Sequence, residues 1–587
     1  MSDPGKPGDN SPADNEPGSG RDDEGHRDDD EVDGAVLDGG RPVRNPDDEL
    51  HTLYDEVVVS DGYGDDPGDG VHRDTSTADR SERAPRTRGA DDGYDEDDDD
   101  DIFGDDPSEF DLADAYDAQL VERSARDGEA REFDDLDLLD EFVEAGDEVF
   151  RQLQSRLGEA APQPRLSATR RAVEMLGDPH RAYPVIHITG TNGKTSTSRI
   201  TESILRAYGL RTGLFTSPHL ERLNERIVID GRPISNEALA ENWADIQPYL
   251  ELVDAELEGA AEPRLTFFEA LSVLAFASFA EAPIDVAVIE VGMGGEWDST
   301  NVADGQVAVF TPISLDHTAR LGNTVAEIAR TKSGIVKPAA QVVTSLQVPE
   351  VLAELQRAAE LTESTFAAEG AQFSLLSTSV AVGGQVVSIK GLAGTYTDIF
   401  LPLYGDHQAQ NAAVAVAAVE SFLGGGSTAL VDDVLVEAFA TVTSPGRLQL
   451  IGTDPTVLVD AAHNPGGALA LAAALKEYFA FDKIVAVISV LADKDAAGII
   501  RALEPVVSEF VITQSSSDRA INADELASIV VGIAGADRVV VELDPREAAR
   551  IARDSAAASD TGAVLVTGSI TLVGEIITLA GDEGWKP

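Results

Sequence analysis

Lys194 stands in the run Tyr183-Pro-Val-Ile-His-Ile-Thr-Gly-Thr-Asn-Gly-Lys-Thr-Ser196, a setting suited to holding a phosphate. Its ammonium brings one full positive charge. Gly190 and Gly193 allow a tight turn and let a bulky anion approach the backbone. Thr195 or Ser196 can offer a hydroxyl to the Mg²⁺ that accompanies a nucleoside triphosphate. Behind the loop, Val185, Ile186 and Ile188 predict a strand covered on both faces. Ahead of it, residues 195–207 hold no Pro or Gly and place Ile200, Ile204 and Leu205 at helical spacing. A helix starting here adds free N–H groups and a partial positive charge to the same phosphate site. The position five residues before Gly193 is Ile188 rather than glycine, so the loop is a shortened form of the common nucleotide pattern.

Two further polar residues sit where such a loop needs them. Glu290 closes the apolar run 286–289, and His317 follows another apolar run, both at the strand edge where open α/β sheets bind ligands. A carboxylate, an imidazole, a hydroxyl and phosphate oxygens make a reasonable Mg²⁺ shell, with waters completing it. The elements that must position them read as alternating strands and helices. Strands are predicted at 185–189, 212–216, 286–291, 307–311 and 341–345, and helices at 237–250, 267–279, 325–330 and 349–361. That alternation means an α/β fold, with a mostly parallel sheet flanked by helices. Amphipathic helices over 138–160 and 167–176 open it, and a β-rich insertion with a turn at Gly383-Gly384 spans 373–401. Thr443-Ser-Pro-Gly-Arg447 looks like a join. Beyond it, strands at 457–460, 484–490, 510–513, 538–542 and 564–568 predict a smaller, doubly wound α/β domain. The expected division is an acidic tail over 1–135, a nucleotide-binding central domain over 136–444 and a C-terminal domain over 445–587.

Charge is placed unevenly along the 587 residues, whose formal net charge is −63. Residues 1–150 carry 52 Asp and Glu against 13 Lys and Arg, densest at Asp91-Asp-Gly-Tyr-Asp-Glu-Asp-Asp-Asp-Asp-Asp101. With few large apolar side chains, this stretch cannot offset the entropy of ordering, so disorder and dispensability for any chemistry are expected up to about residue 135. No 18-residue apolar run predicts a membrane span. The acidic N-terminus does not read as a secretory signal, and the absence of cysteine excludes disulfides, zinc-thiolate sites and thiol catalysis. A cytoplasmic monomer is expected. Nothing resembles a basic patch, so nucleic acid is not an expected partner.

Six segments, in order, carry a resemblance to the bacterial folylpolyglutamate synthases, often bifunctional as dihydrofolate synthases, of the Mur-ligase superfamily. They are Gly190-Thr-Asn-Gly-Lys-Thr195, Thr216-Ser-Pro-His-Leu220, Thr266-Phe-Phe-Glu269, Glu290-Val-Gly-Met-Gly-Gly-Glu-Trp-Asp-Ser-Thr-Asn301, Leu315-Asp-His-Thr318 with Lys332-Ser-Gly-Ile335, and Asp460-Ala-Ala-His-Asn-Pro465. Leu491-Ala-Asp-Lys-Asp495 and Gly568-Ser-Ile-Thr-Leu-Val-Gly-Glu575 are weaker echoes. The resemblance implies an ATP-dependent ligase that joins L-glutamate to folate or dihydropteroate, with ATP and two Mg²⁺ ions. It implies nucleotide contacts at Thr191, Asn192, Gly193, Lys194, Thr195, Ser196, Asn411, Arg447 and Asp460. Metal coordination falls to Ser217, Glu290 and His317. Lys332 matches a lysine carbamylated by CO₂, which would make it a further oxygen ligand. Thr266, Phe267, Phe268, Glu269, Trp297, Asp298 and Ser299 resemble the pterin-binding segments, one phenylalanine being as well suited to core filling as to stacking. The run from Ser217 to Val228 resembles a mobile loop over the pterin side. His463 and Ser569 are candidates for gripping the incoming glutamate.

Two rival functions fit less of the chain. A cell-wall Mur ligase places a UDP-binding domain ahead of the nucleotide loop, and only about 50 foldable residues precede Lys194 here. A nucleotide-switch or regulatory binding protein would not need Thr216–Leu220, Glu290, His317 and Asp460 together.

Overall fold

The computed structural model describes residues 142–158 and 162–586. The acidic tail expected over 1–135 lies outside them. Among the described residues no helix is long and apolar enough to cross a membrane.

The first sheet has eight strands: β1 Val185–Thr189, β2 Thr212–Phe215, β3 Ile227–Ile229, β4 Arg232–Pro233, β5 Val286–Glu290, β6 Gly305–Phe310, β7 Gln341–Thr344 and β8 Thr365–Ala368. Their order is β4-β3-β2-β5-β1-β6-β7-β8. The run from β2 to β8 is parallel, and β3 and β4 return antiparallel at one edge. Alternating side chains divide between two cores. Ile186 and Ile188 pack beneath helices Lys194–Ala207 and Asp406–Gly424, whereas Val185 and Ile289 face Asn236–Gly259 and Phe267–Glu281. Burial on both faces explains why β1 reads as a continuous apolar run. Register sets Ile188 beside Glu290 and Thr189 beside Phe310. The nucleotide loop, Glu290 and the segment after β6 therefore open at the same sheet edge, as the strand pattern predicts.

The insertion is an antiparallel three-stranded sheet of β9 Ser374–Ala381, β10 Gly384–Lys390 and β11 Thr395–Leu401. The buried Glu420 carboxylate fastens it to helix Asp406–Gly424, accepting from the backbone N–H groups of Leu392 and Gly394 and from the Tyr396 hydroxyl. A third sheet follows: β12 Gln449–Thr453, β13 Thr456–Val459, β14 Lys483–Ile488, β15 Glu509–Ile512, β16 Val539–Val541 and β17 Gly562–Thr567, ordered β12-β13-β17-β14-β15-β16. All its pairings are parallel except β12 with β13. Helices cover both faces, so the doubly wound expectation holds.

Several expected boundaries move. Among the described residues the first helix runs to 154 rather than 160, and its expected start at 138 lies outside them. It ends where the Ser155 hydroxyl donates back to the Gln152 carbonyl, a competing local bond. The helix expected over 237–250 runs Asn236–Gly259 through Pro248, because Trp243, Ile246, Leu250 and Val253 are all buried on one side. One missing N–H is outweighed by that packing. The helix expected to stop at 330 continues to Ser333, which puts Lys332 in its last turn. The Ser217–Val228 loop ends earlier than expected, since Ile227 and Val228 belong to β3.

A buried ion pair ties the first helical segment to the long helix. Arg156 donates to Asp254 at 2.9 Å, and both side chains are 5% exposed. Asp254 also accepts from the Leu265 N–H at 2.8 Å and from Arg264 at 3.1 Å. Removing one partner of a buried pair strands the other's charge. Asp254→Ala is therefore expected to cost about 3–5 kcal/mol in urea unfolding, and a loss below about 1 kcal/mol would show that the network carries no such charge.

Candidate active site

The nucleotide loop is shaped by what surrounds its glycines. A Cβ at Gly190 would overlap the Thr311 hydroxyl, and one at Gly193 would lie 2.5 Å from Asn411 Oδ1, so neither position admits a side chain. The Thr191 N–H donates to the Pro312 carbonyl at 2.9 Å, which pins the loop to the segment after β6. Lys194 begins the helix Lys194–Ala207, and its Nζ curls back to donate to the Thr191 carbonyl at 3.1 Å. Burial lowers the Lys194 pKa, while Glu290 and Asp316 pull it up. The helix has no acidic residue in its first turn to compete with an incoming anion. Between the two candidate hydroxyls, the structure separates the roles. Thr195 Oγ1 donates to the Glu290 carboxylate at 3.0 Å, whereas Ser196 Oγ lies 2.9 Å from Ser444 Oγ in a buried contact.

Glu290 ends β5 at 1% exposure. Burial pushes its pKa up, with Lys194 and the Thr195 hydroxyl opposing. The Ser217 N–H lies 3.4 Å from the same carboxylate. His317 has a left-handed backbone, φ 49°, where a short helix starts, and burial, then Lys494, lowers its pKa to about 4. Lys332 is 4% exposed and donates to the Gly190 carbonyl at 2.7 Å. Burial, then the Lys194 charge, brings it down to about 7. Among the described residues no three His, Asp or Glu side chains converge as a metal cage. The donors still suit Mg²⁺, which takes few protein ligands plus phosphate and water oxygens. A cation beside Glu290 would also offset the cost of burying that carboxylate.

Opposite this edge stand residues from the third sheet. Arg447 lines the cavity just after the turn at Gly446. Asp460, directly after β13, accepts from the Leu448 and Ala462 N–H groups, each at 2.8 Å, so its carboxylate holds the Arg447 turn in place. Burial raises its pKa, against the pull of Arg447. His463 Nδ1 lies 3.0 Å from the Ala461 carbonyl. Ser569 stands among the residues around the same cavity, fully buried and with no partner for its hydroxyl. Asn411 is 4% exposed beneath the nucleotide loop.

The pterin-side candidates separate into lining and framework. Thr266 and Glu269 form a reciprocal cap on helix Phe267–Glu281, and Glu269 also receives Arg165 at 3.0 Å. Phe267 is 6% exposed in the core against Phe150, while Phe268 lines the cavity. The turn of the helix thus places one ring in the core and the other at the cavity. Trp297 lines the cavity. Asp298 accepts from the Met293 and Thr300 N–H groups, and Ser299 pairs with Ser272 at 2.7 Å.

One cavity of about 1190 Å³ joins all three groups of residues. Sequence reasoning did not single out Asp316 and Lys494, which form an ion pair across it at 2.7 Å with side chains 11% and 5% exposed. Burial works to raise Asp316, yet Lys494 and His317 hold it well below the usual carboxylate range. Nor did it single out Asn464, which exchanges amide hydrogen bonds with Asn192 at 2.9 and 3.2 Å. Both Asp316 and Lys494 lie inside matched segments, but nothing in either segment names its partner.

A nucleotide loop on a parallel sheet, facing a second doubly wound unit across a shared cleft, is the architecture of the Mur ligases. Residues 188–419 match the Mur ligase middle domain, and residues 446–570 match the Mur ligase glutamate ligase domain. Within that class, the chain belongs to the dihydrofolate synthase/folylpolyglutamate synthase family. It is 44% identical over 458 residues to the dihydrofolate synthase/folylpolyglutamate synthase of Mycobacterium tuberculosis, covering 74% of this chain and 94% of that protein. The structure of M. tuberculosis folylpolyglutamate synthase complexed with ADP matches with a TM-score of 0.72 and 43% identity, over 75% of this chain and 99% of the other. Escherichia coli FolC in complex with DHPP and ADP matches with a TM-score of 0.65 and 28% identity, over 74% and 98%. The chain is an ATP-dependent ligase that forms a C–N bond by adding L-glutamate to folates.

Proposed function

We propose that the reaction runs through an acyl phosphate, on dihydropteroate as well as on reduced folates, in the cavity between a central lobe over 136–444 and a C-terminal lobe over 445–587. A substrate carboxylate oxygen attacks the γ-phosphorus of ATP, breaking the bond to the β-phosphate oxygen and releasing ADP. The neutral amine of L-glutamate then attacks the acyl carbon. The tetrahedral intermediate collapses to the amide, losing phosphate and a proton.

The observation that carries this reading is the meeting of Lys194, the Glu290–Thr195 pair and Arg447 in one cavity with the pterin-side residues. Lys194 and the helix N-terminus neutralise the transferring phosphoryl group, and Arg447 brings charge to it from the other lobe. Thr191, Asn192, Gly193, Thr195 and Ser196 frame the phosphates, with Asn411 and Asp460 supporting nucleotide and loop. Ser217, Glu290 and His317 would hold Mg²⁺, with a carbamate on Lys332 holding a second ion; bound Mg²⁺ supplies charge stabilisation at the phosphoryl oxygens. Phe268 and Trp297 present flat faces to the pterin, while Thr266, Glu269, Asp298 and Ser299 hold that wall in shape. Ser569 and His463 receive the glutamate. Contact between the lobes keeps water from the acyl phosphate. A cysteine-free chain acting on small soluble substrates fits a cytoplasmic monomer.

The test is ATP turnover by the full chain with each substrate omitted in turn. ADP formation is expected only with L-glutamate and either tetrahydrofolate or dihydropteroate. Turnover indifferent to glutamate would point to a nucleotide switch instead, and turnover with tetrahydrofolate alone would remove the dihydropteroate half.

A further inference from the structure

The loop after β2 reaches across to the other lobe, and Leu220 makes the apolar part of the crossing. Leu220 packs on the core of the third sheet formed by Val459, Val573 and Ile576. The surface it meets is built from two glycines. A Cβ on Gly446 would lie 3.0 Å from Leu220 Cδ2, and a Cβ on Gly574 would collide with the Leu220 carbonyl oxygen. Glu221 adds a polar contact, accepting from the Thr578 hydroxyl at 2.9 Å.

The loop is braced by hydrogen bonds within itself and at both ends. The Glu225 carboxylate accepts from three successive N–H groups, those of Leu220, Glu221 and Arg222, at 2.7–2.9 Å. At its start, Ser217 reaches Glu290. At its end, the Arg226 guanidinium donates to His219 at 2.8 Å and lies 5.3 Å from the centre of the Phe267 ring. The receiving surface is equally placed. Gly446 directly precedes Arg447, and its carbonyl accepts from Arg447 Nη1 at 3.1 Å and from the Ala461 N–H at 2.9 Å. Gly574 lies in helix Ile570–Asp582, whose preceding residue is Ser569.

We infer that Leu220, seated in the Gly446–Gly574 socket, is a positioning residue that locks the C-terminal lobe in register with the substrate loop. This rests on the ligase reading above. The seat joins the turn bearing Arg447, the helix bearing Ser569 and the loop bearing Ser217, so this contact, beside the Asn192–Asn464 and Asp316–Lys494 bonds elsewhere across the cleft, holds the distance between the residues that serve the nucleotide, the glutamate and the acyl group. Leu220 itself does not touch the reacting atoms. Without it the lobes lose register, and water reaches the acyl phosphate, returning it to carboxylate and phosphate with no amide formed. Small misplacements of reacting groups lower rates steeply.

The test uses the full chain with ATP, L-glutamate and tetrahydrofolate, and measures kcat, the KM for ATP, thermal melting and the ratio of phosphate released to glutamate incorporated. Leu220→Ala is expected to lower kcat about tenfold or more and raise the ratio clearly above one, with the KM for ATP within about twofold. Leu220→Met, which still fills the socket, is expected to restore coupling. Gly574→Ala blocks the seat from the other side and is expected to uncouple in the same way, even if one of the leucine variants folds poorly. A ratio of one in both Leu220→Ala and Gly574→Ala overturns the inference, whatever their kcat, because a merely structural defect lowers rate without diverting the intermediate. Absence of folate-dependent turnover in the unmodified chain would instead strike the ligase reading itself.

Discussion

Lys194→Ala is expected to lower kcat by two orders of magnitude or more and to leave the fold intact. The ammonium sits at the start of a helix whose free N–H groups face the same cavity, so both sources of positive charge act where negative charge develops on the transferring phosphoryl group. Removing one preorganised electrostatic contact of this kind costs about 10²–10³ in kcat. The structural cost is small by comparison. Alanine is the best helix former, the lysine makes one hydrogen bond, to the Thr191 carbonyl, and burial already disfavours its charge. Glu290 loses its main opposing charge in the variant, so burial should drive its carboxyl further toward the neutral form. Steady-state kinetics on purified variant, beside a thermal melt, decide the matter. A kcat within about threefold of the parent would remove Lys194 from phosphoryl transfer.

Lys332→Ala should fall by about two orders of magnitude as well, for a different reason, if the carbamate proposed for that side chain provides metal-binding oxygen. Carbamate formation needs the neutral amine. Its nitrogen attacks the carbon of CO₂, a C–N bond forms, one C–O π pair moves to oxygen and a proton leaves. With the pKa brought down to about 7 by burial and the Lys194 charge, a large share of the amine is neutral near pH 7, whereas an ordinary lysine would be almost wholly protonated. The sign follows directly. The neutral fraction rises with pH through about 7, so activity in limiting bicarbonate should climb over that range and fall on its acid side. Depleting CO₂ should depress the parent, with added bicarbonate restoring it, while Lys332→Ala should stay low in both conditions. Indifference of the parent to bicarbonate, together with an active Lys332→Ala, would dismiss the carbamate.

What could be read in the sequence divides along physical lines. The nucleotide loop was legible because its chemistry is contiguous: strand, glycines, lysine, hydroxyl and helix occupy fourteen consecutive residues. Glu290 and His317 were legible because each follows an apolar run, and strand ends in such sheets gather at one edge. The Asp316–Lys494 pair was not, since its members are 178 residues apart and either could have been a solvated surface charge. Phe267 and Phe268 were indistinguishable until the helix rotated one into the core and the other into the cavity. β3 carries no strand signal of its own in the sequence, being three apolar residues after a charged stretch, and the antiparallel return from β2 supplies their partners. The helix expected over 237–250 already spanned Pro248, and it runs on to Gly259 because Val253 and Asp254 continue the buried side beyond Leu250.

The pairing of Ser196 with Ser444 bears on how the two lobes can move. Along the same helix, Ser203 donates to the Ala438 carbonyl at 2.9 Å and lies 3.2 Å from the Thr441 hydroxyl. The strap leading into the C-terminal lobe is therefore stitched along the helix that carries Lys194, rather than hanging free beside it. Any swing of that lobe has its fulcrum against the nucleotide helix. The phosphates proposed for that loop would lie at the short end of the lever and the residues proposed for glutamate along its arm, so a modest rotation would admit or release the amino acid while disturbing the nucleotide far less.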